Sequence, residues 1–402
     1  MKNIVVLGAG IQGVCVALAL RKHQYKVTLI DQANGCIERT SLVNEGKIHL
    51  GHIYANDRSG KTSHLMLQSA LQFAPLLEQW TELDIDWQKI VSNPFLYVVA
   101  KSSLLLPEQL YAHYQQLDQH YQLLIDQDGL HYLGEKPSHL WKTVQLPNQI
   151  SRDFAVSAVS TPERAVDRER IRQLLKRFID ETDSIETLYN HRVDSVTRTA
   201  TGFMVEGTGP EEFWQRQADI VVNCLWDGRL KIDQQMGIAP KRRWVYRLKY
   251  RMLATLPEHL DHLPAITFVL GRFGDVVTSP VSRTVYLSWY PSCLQGWCSE
   301  ISPPRDWASL HTGSLDLKER DRIIASTLAA FDKIIPGLGA SQVDQVRAGT
   351  IFSWGTTDID DLQSGLHERH NIGVRSYDGY FSIDTGKYTC APFFANQLLA
   401  KI

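Results

Sequence analysis

The sequence predicts an α/β protein in which a Rossmann-like nucleotide-binding domain with a parallel sheet is joined to a substrate domain built on an antiparallel sheet. Three observations predict it. A glycine fingerprint follows the first apolar strand and opens the first helix. A second run of helix and strand signals begins near residue 160, and residues 244–290 then alternate with the two-residue period of strands. A chain of 402 residues also exceeds what one core usually holds, so two domains are expected.

In chain order, Asn3–Leu7 reads as a buried strand, Ile11–Lys22 as a helix and Lys26–Ile30 as a second strand, a βαβ unit that implies a parallel sheet. Ser63–Trp80 has helical periodicity through Leu65, Leu67, Leu71 and Leu76, with Pro75 expected to kink or split it. Residues 85–150 read as short strands and one helix of another layer. Asp167 is the expected N-cap of a helix over Arg168–Glu181, and strands follow at His191–Arg198, Phe203–Glu206 and Asp219–Cys224.

The nucleotide-binding domain is therefore expected to be discontinuous, from residues 1–84, 151–240 and 345–402, with residues 85–150 and 241–344 forming the substrate domain. From Trp244 onward, Tyr246, Leu248, Tyr250 and Met252 share one strand face with it, while Arg243, Arg247, Lys249 and Arg251 share the other. Leu317–Ile335 is an amphipathic helix ended by Pro336 and Gly337.

Composition narrows the function classes. Forty-two basic against forty-four acidic side chains give a net charge of −2, which offers no field for a phosphate backbone, so no nucleic-acid partner is expected. The six cysteines are scattered without a CxxC pair, which reads as reduced thiols in a cytoplasmic protein with no metal site. No window reaches the roughly 20 apolar residues of a membrane span.

Gly8-Ala9-Gly10-Ile11-Gln12-Gly13 lies between strand and helix, the context in which GxGxxG binds a dinucleotide. Gly8 allows the tight turn, Gly10 the approach of a pyrophosphate, and Gly13 close helix packing. The N–H groups of Ile11 and Gln12 lie at the positive end of the helix. Asp31 ends the second strand, where a carboxylate accepts hydrogen bonds from an adenosine ribose and disfavours a 2′-phosphate. FAD and NAD remain equally open on these residues.

Three further segments separate them. Ser41-Leu42-Val43-Asn44-Glu45-Gly46-Lys47-Ile48-His49-Leu50-Gly51-His52, then Thr161-Pro162 with Asp167 and Ala218-Asp219-Ile220-Val221-Val222-Asn223, and finally Asp384-Thr385-Gly386-Lys387-Tyr388-Thr389-Cys390-Ala391-Pro392 resemble, in order, the D-amino-acid oxidase superfamily of flavoproteins. That superfamily includes glycine oxidase, glycerol-3-phosphate dehydrogenase and L-2-hydroxyglutarate dehydrogenase. The resemblance implies non-covalent FAD. It implies flavin contacts from Thr40, Ser41, Asn44, Gly46, Lys47 and Ile48, nucleotide contacts from Val193 and Asn223, and a closing turn of Gly386, Lys387, Tyr388 and Thr389 at the flavin pyrimidine. The sequence departs from the family at Ala348-Gly349-Thr350-Ile351, where many relatives carry a substrate-binding arginine; Arg347, Arg283 and Arg272 are the replacements in view.

The expected activity is hydride transfer from a C–N bond of an amine, amino acid or cyclic imine-type small molecule to flavin. A 2-hydroxy-acid or polyol-phosphate dehydrogenase is the alternative, and a non-catalytic flavin-binding interaction protein the alternative of another class. An alcohol substrate requires a base for its hydroxyl proton, and His49 has the pKa for it. Lys387 is placed to touch a flavin carbonyl or a substrate oxygen. Thr284, Tyr286, Ser288 and Tyr290 share one strand face, which makes Tyr286 and Tyr290 candidates for a pocket roof. The electron acceptor, O2 or another carrier, is left open.

Overall fold

The computed structural model describes residues 2–402. Its nucleotide-binding sheet runs, edge to edge, Gly373–Tyr377, Tyr380–Asp384, Ile220–Asn223, Asn3–Leu7, Lys26–Ile30 and Ile185–Leu188. All pairings are parallel except the edge hairpin of the first two. From Asn3–Leu7 the chain moves to one side for Lys26–Ile30 and returns to the other only at Ile220–Asn223. Strand order thus reverses at the first strand, and a crevice opens at the carboxyl ends of these strands, where such sheets bind ligands.

Alternation along Asn3–Leu7 explains the layers. Ile4 and Val6 enter the core beneath the helices, whereas Val5 and Leu7 pack with Val196, Phe203 and Val205 of a three-stranded antiparallel sheet on the other face. The third strand of that sheet, Glu212–Ala218, carries too many polar residues to be read from sequence. The fingerprint helix Ile11–Lys22 is buried from Ile11 to Leu20 because Lys61–Thr81 and Ala391–Leu399 cover its outer side.

Lys61–Thr81 continues through Pro75 as one helix, so of the expected kink or split the split does not occur. A proline removes one hydrogen bond, and Leu67, Leu71, Phe73, Leu77 and Trp80, all buried in the core on both sides of it, hold the axis together.

The second sheet has nine strands, with Trp244–Thr255 next to one edge. That long strand pairs with Gln342–Trp354 along one side, and on the other with Leu294–Cys298 and then Thr284–Trp289. The sheet is mixed rather than wholly antiparallel, since Ala265–Val269 runs parallel to Phe95–Ala100. The boundaries drawn from sequence put Ala155–Ser160 and most of Gln342–Trp354 with the nucleotide-binding segments. Their partners are Phe95–Ala100 and Trp244–Thr255, so by pairing both strands belong to the large sheet.

The two faces of Trp244–Thr255 have different fates. Tyr246, Leu248, Tyr250 and Met252 pack in one cluster with Ile323 and Phe331 of the helix Leu317–Ile334. Arg247, Lys249 and Arg251 point the other way, into the space between the sheets. Among the described residues no helix is long and apolar enough to cross a membrane, and no His, Cys, Asp and Glu group is arranged to hold a metal.

Candidate active site

Two adjoining cavities run from the end of the parallel sheet to the cationic face of the large sheet. They share Gly10, Thr40, Ser41, Cys224 and Trp226 as a common wall, so together they form one elongated channel. The outer part is lined by Gly8, Asp31, Ala33, Arg39 and Val193. The inner part is lined by Ile11, Gln12, Asn44, Glu45, His49, Tyr286, Tyr290 and the turn Thr385–Tyr388.

The fingerprint glycines do two different jobs. Gly8 has φ +90°, and a Cβ there would lie 2.9 Å from the Cys224 carbonyl oxygen; a Cβ on Gly13 would lie 1.8 Å from the Gly8 carbonyl oxygen. Both are required by the protein's own packing. Gly10 has ordinary extended geometry, φ −65° and ψ 178°, and its Cβ would meet only the Ser41 hydroxyl at 3.2 Å. The space kept open there, at the junction of the two cavities, is needed by no part of the chain. Beside it the buried Gln12 Oε1 has no partner, and the helix N-terminus supplies donors.

Asp31 sits in the outer cavity, where Oδ2 accepts from the Ala9 N–H at 2.6 Å and Oδ1 from the Ala33 N–H at 2.8 Å. The carboxylate thus pins the glycine turn and keeps lone pairs free for a ribose hydroxyl. Burial pushes its pKa up against these hydrogen bonds. Asn223 faces away from the channel. Its amide donates to Asp233 Oδ1 and the Tyr380 hydroxyl and its oxygen accepts from the Leu225 N–H, so it shapes the turn that carries Cys224 and Trp226.

The loop after the first domain's second strand is held from both ends. Asn44 accepts from the Gly46 N–H at 2.6 Å and donates to the Thr40 and Ser41 carbonyls. Gly46, at φ +75°, lets the loop pass the Val166 carbonyl, 2.4 Å from where a Cβ would stand. Thr389 Oγ1 accepts from the His49 N–H at 2.9 Å and donates to the Lys47 carbonyl at 3.2 Å. Gly46, Ile48 and Thr389 are therefore behind the cavity wall and fix its shape, while Thr40, Ser41, Asn44, Lys47, Gly386, Lys387 and Tyr388 line it.

His49 is buried, with its ring nitrogens 3.7 Å from Glu45 Oε1 and 3.8 Å from Glu163 Oε1. Those distances are too long for hydrogen bonds, and both nitrogens lack a partner. Burial and the Lys387 charge depress its pKa despite the two carboxylates, so the ring is neutral at pH 7. Burial, with the charges of Arg369, Lys249 and Lys47, pushes Lys387 down to about 8 against the pull of Glu45. Burial raises Glu45, but His49, Lys387 and Lys249 outweigh it and hold the carboxyl well below the usual range.

Tyr286 and Tyr290 both line the inner cavity. Tyr290 lies just past the strand, in a short helical turn Tyr290–Cys293, with the Lys249 ammonium 4.3 Å from its ring centroid. Thr284 is exposed and Ser288 donates to the Tyr250 carbonyl, so the expected four-residue roof reduces to these two tyrosines. Lys47 is committed to Asp275 at 2.8 Å and to Thr267. Arg283 is paired with Asp261 at 2.9 Å, and Arg272 with Asp358 at 3.2 Å; neither lines the channel.

The residues that sequence reading missed are cationic. Arg247, Lys249, Arg251 and Arg369 join Lys47 and Lys387 around the inner cavity, where Glu45 is the only acidic lining residue among the described residues. Arg247 pairs with Asp358 at 3.0 Å and Arg369 donates to Ser353 Oγ at 3.2 Å, whereas Lys249 and Arg251 have no carboxylate partner among the described residues. The signal was the alternation over residues 243–251, whose basic face was recognised but given no destination.

The model of the family described as FAD dependent oxidoreductase matches residues 3–368. The chain belongs to this family. FAD is its cofactor and oxidation–reduction its chemistry, which removes the nicotinamide and non-catalytic alternatives. The structure resembles glycine oxidase from Geobacillus kaustophilus, with TM-score 0.67 and 13% identity over 99% of this chain and 94% of that one. It also resembles L-proline dehydrogenase from P. horikoshii, with TM-score 0.65 and 14% identity over 100% and 93%. Glycerol-3-phosphate dehydrogenase from Bacillus halodurans, complexed with FAD, superposes with TM-score 0.58 and 14% identity over 100% of this chain and 64% of that one. At these identities the likeness is one of fold. No curated protein sequence matches the chain. The channel of this FAD-dependent oxidoreductase fits the cofactor: the space at Gly10 beside the helix N-terminus suits the pyrophosphate, the Asp31 carboxylate suits an adenosine ribose hydroxyl, the unpaired Gln12 oxygen suits a hydroxyl donor of the cofactor, and the inner cavity suits the ring.

Proposed function

We propose that this oxidoreductase removes a hydride from the carbon next to nitrogen in a small carboxylate-bearing amine, an amino acid or close analogue. The observation that supports this is the charge of the inner cavity: of its six cationic side chains Lys47 and Arg247 are paired with Asp275 and Asp358, which leaves Lys249, Arg251, Arg369 and Lys387 facing the single lining carboxylate of Glu45. Buried cations without partners need an anion, and a substrate carboxylate provides it. Bound FAD supplies the hydride acceptor. The residues of the chain supply the rest: Lys249, Arg251, Arg369 and Lys387 hold the carboxylate, Tyr286 and Tyr290 close over the substrate, and the fold excludes water from the reacting carbon.

An ammonium substrate must first lose a proton, because only the free amine has the lone pair that forms the C=N bond as the C–H bond breaks. Neutral His49, beside Glu45, is the acceptor for that proton. The same geometry serves a hydroxyl, and His49 is the observation in favour of a 2-hydroxy acid as the second reading. Anaerobic mixing of the yellow holoenzyme with matched triplets of amino acid, hydroxy acid and decarboxylated amine separates these. We expect bleaching by an amino acid, at least about 100-fold less efficiently by the amine lacking carboxylate, as loss of a buried charge pair implies. Bleaching by the decarboxylated amine at equal efficiency would remove the role assigned to the cationic wall.

A further inference from the structure

A third cavity, of about 390 Å³, adjoins the inner one and shares Glu45, Arg251 and Tyr286 with it. Four arginines and four carboxylates line it, and three of the arginines, Arg168, Arg251 and Arg347, are the ones without an acid of their own. Arg251 and Arg347 stand directly opposite each other on the paired strands Trp244–Thr255 and Gln342–Trp354, an arrangement that is unfavourable for like charges. Arg168 comes from the first turn of the helix Arg168–Asp180, where the helix dipole already favours negative charge, and its guanidinium lies 5.5 Å from the Tyr286 ring centroid.

Of the four acids on its wall, Glu45 lies at the border with the inner cavity, 3.7 Å from His49, and the other three are occupied elsewhere. Glu38 and Glu169 pair with Arg172 at 2.8 and 2.5 Å, and Asp167 caps the helix. Among the described residues, none of Arg168, Arg251 and Arg347 has an ion-pair partner. Arg251 is only 3% exposed, and its Nε and Nη1 donate to nothing; the Arg168 Nε is likewise buried without an acceptor. Burial and the charges of Arg168 and Arg347 push the Arg251 pKa down to about 9, which still leaves it charged at neutral pH. Ser92, Thr278, Ser282 and Thr284 add hydroxyls to the wall. An uncompensated buried cation is costly, and buried Arg251, with the half-buried Arg168 and Arg347 beside it, persists where an anion completes the group.

We infer that this cavity is a second anion subsite, holding a distal carboxylate or phosphate of the substrate while its reacting end lies in the inner cavity. The inference rests on the reading of the inner cavity as an anionic-substrate site, and it narrows the substrate class to compounds with two separated acidic groups. Arg251, on the wall of both cavities, is placed to contact either end; Arg168 and Arg347 line the third cavity and not the inner one.

The test is titration of the FAD-loaded enzyme with dicarboxylates from succinate to pimelate and with monocarboxylates of matched length, read as perturbation of the flavin absorbance. We expect one dicarboxylate to bind at least about 10-fold more tightly than its monocarboxylate, the preference falling away in R168Q and R347Q while monocarboxylate binding is unchanged. If monocarboxylates bind and no dicarboxylate binds better, or if the preference survives in both variants, the second subsite is wrong and the first reading stands. If neither class perturbs the flavin, both fall. Dicarboxylate binding that is additive with a monocarboxylate shows an independent anion site and also overturns the inference.

Discussion

At the scale of single residues, the glycine fingerprint separates what the fold needs from what the cofactor needs. The Cβ of Gly10→Val meets no backbone atom, only the Ser41 hydroxyl at 3.2 Å, which accepts from the Ile11 N–H. The variant is therefore expected to fold with the melting temperature of wild-type apoprotein yet purify without yellow colour, because the added methyls occupy the pyrophosphate's space. Stoichiometric FAD in that variant would be the contrary result. Lys387 gives a pH signature. Its pKa of about 8 means that its charge is present below that pH and lost above it. Binding of a monocarboxylate inhibitor should weaken as pH rises through about 8, and Lys387→Met should bind more weakly with that limb absent. Such residues were legible in sequence where the signal is local. The placement of the GxGxxG turn between strand and helix, and of Asp31 just past the second strand, was legible because these elements sit within 31 residues. The destination of Arg247, Lys249 and Arg251 was not legible, since strand alternation names two faces but only tertiary packing says which one meets a cavity.

At the scale of elements, the buried Glu163 links the active-site loop to the large sheet. Its carboxylate accepts from the Leu50 N–H at 2.7 Å and from the Tyr97 hydroxyl, and lies 3.5 Å from His52 Nδ1. Burial pushes its pKa up, but His52 and the charges of His49 and Lys47 hold it at about 2. A carboxyl lowered on folding stabilises the native state above its unfolded pKa, and that share disappears as pH falls from about 4.5 toward 2. Glu163→Gln should cost about 1.5 to 3 kcal/mol at pH 7, the size of a hydrogen bond to a charged group, and should flatten the acid limb of stability against pH. Equilibrium denaturation at pH 7 and pH 3 measures both; an unchanged acid limb would place the titration elsewhere. Glu163 carried no sequence signal, because its partners lie 113 and 66 residues away. The helix through Pro75 shows the same limit from the other side: a strong local breaker was overridden by core packing visible only in three dimensions.

At the scale of the whole molecule, two sheets built from interleaved chain segments place a cationic strand face across from the crevice of the parallel sheet, and the channel between them is the proposed meeting place of flavin and substrate. The βαβ start and the alternating sheet were legible from period and motif. The parallel entry of Phe95–Ala100 into the large sheet and the membership of Ala155–Ser160 in it were not, since both depend on pairings between distant segments. The central claim is oxidation at a C–N bond in this channel, with His49 as proton acceptor for the substrate ammonium. The most direct measurement is rapid-mixing anaerobic flavin reduction by the best amino-acid substrate across pH, for wild type and His49→Ala. The account predicts that the wild-type rate rises with pH as proton removal becomes easier. It predicts that His49→Ala keeps its FAD, is slowed at neutral pH, and recovers most of the wild-type rate once the pH passes the substrate's own amine pKa. A His49→Ala enzyme slowed by roughly 100-fold to 10,000-fold at every pH, with hydroxy acids as the compounds that bleach the wild type, would contradict it and move the reaction to a C–O bond.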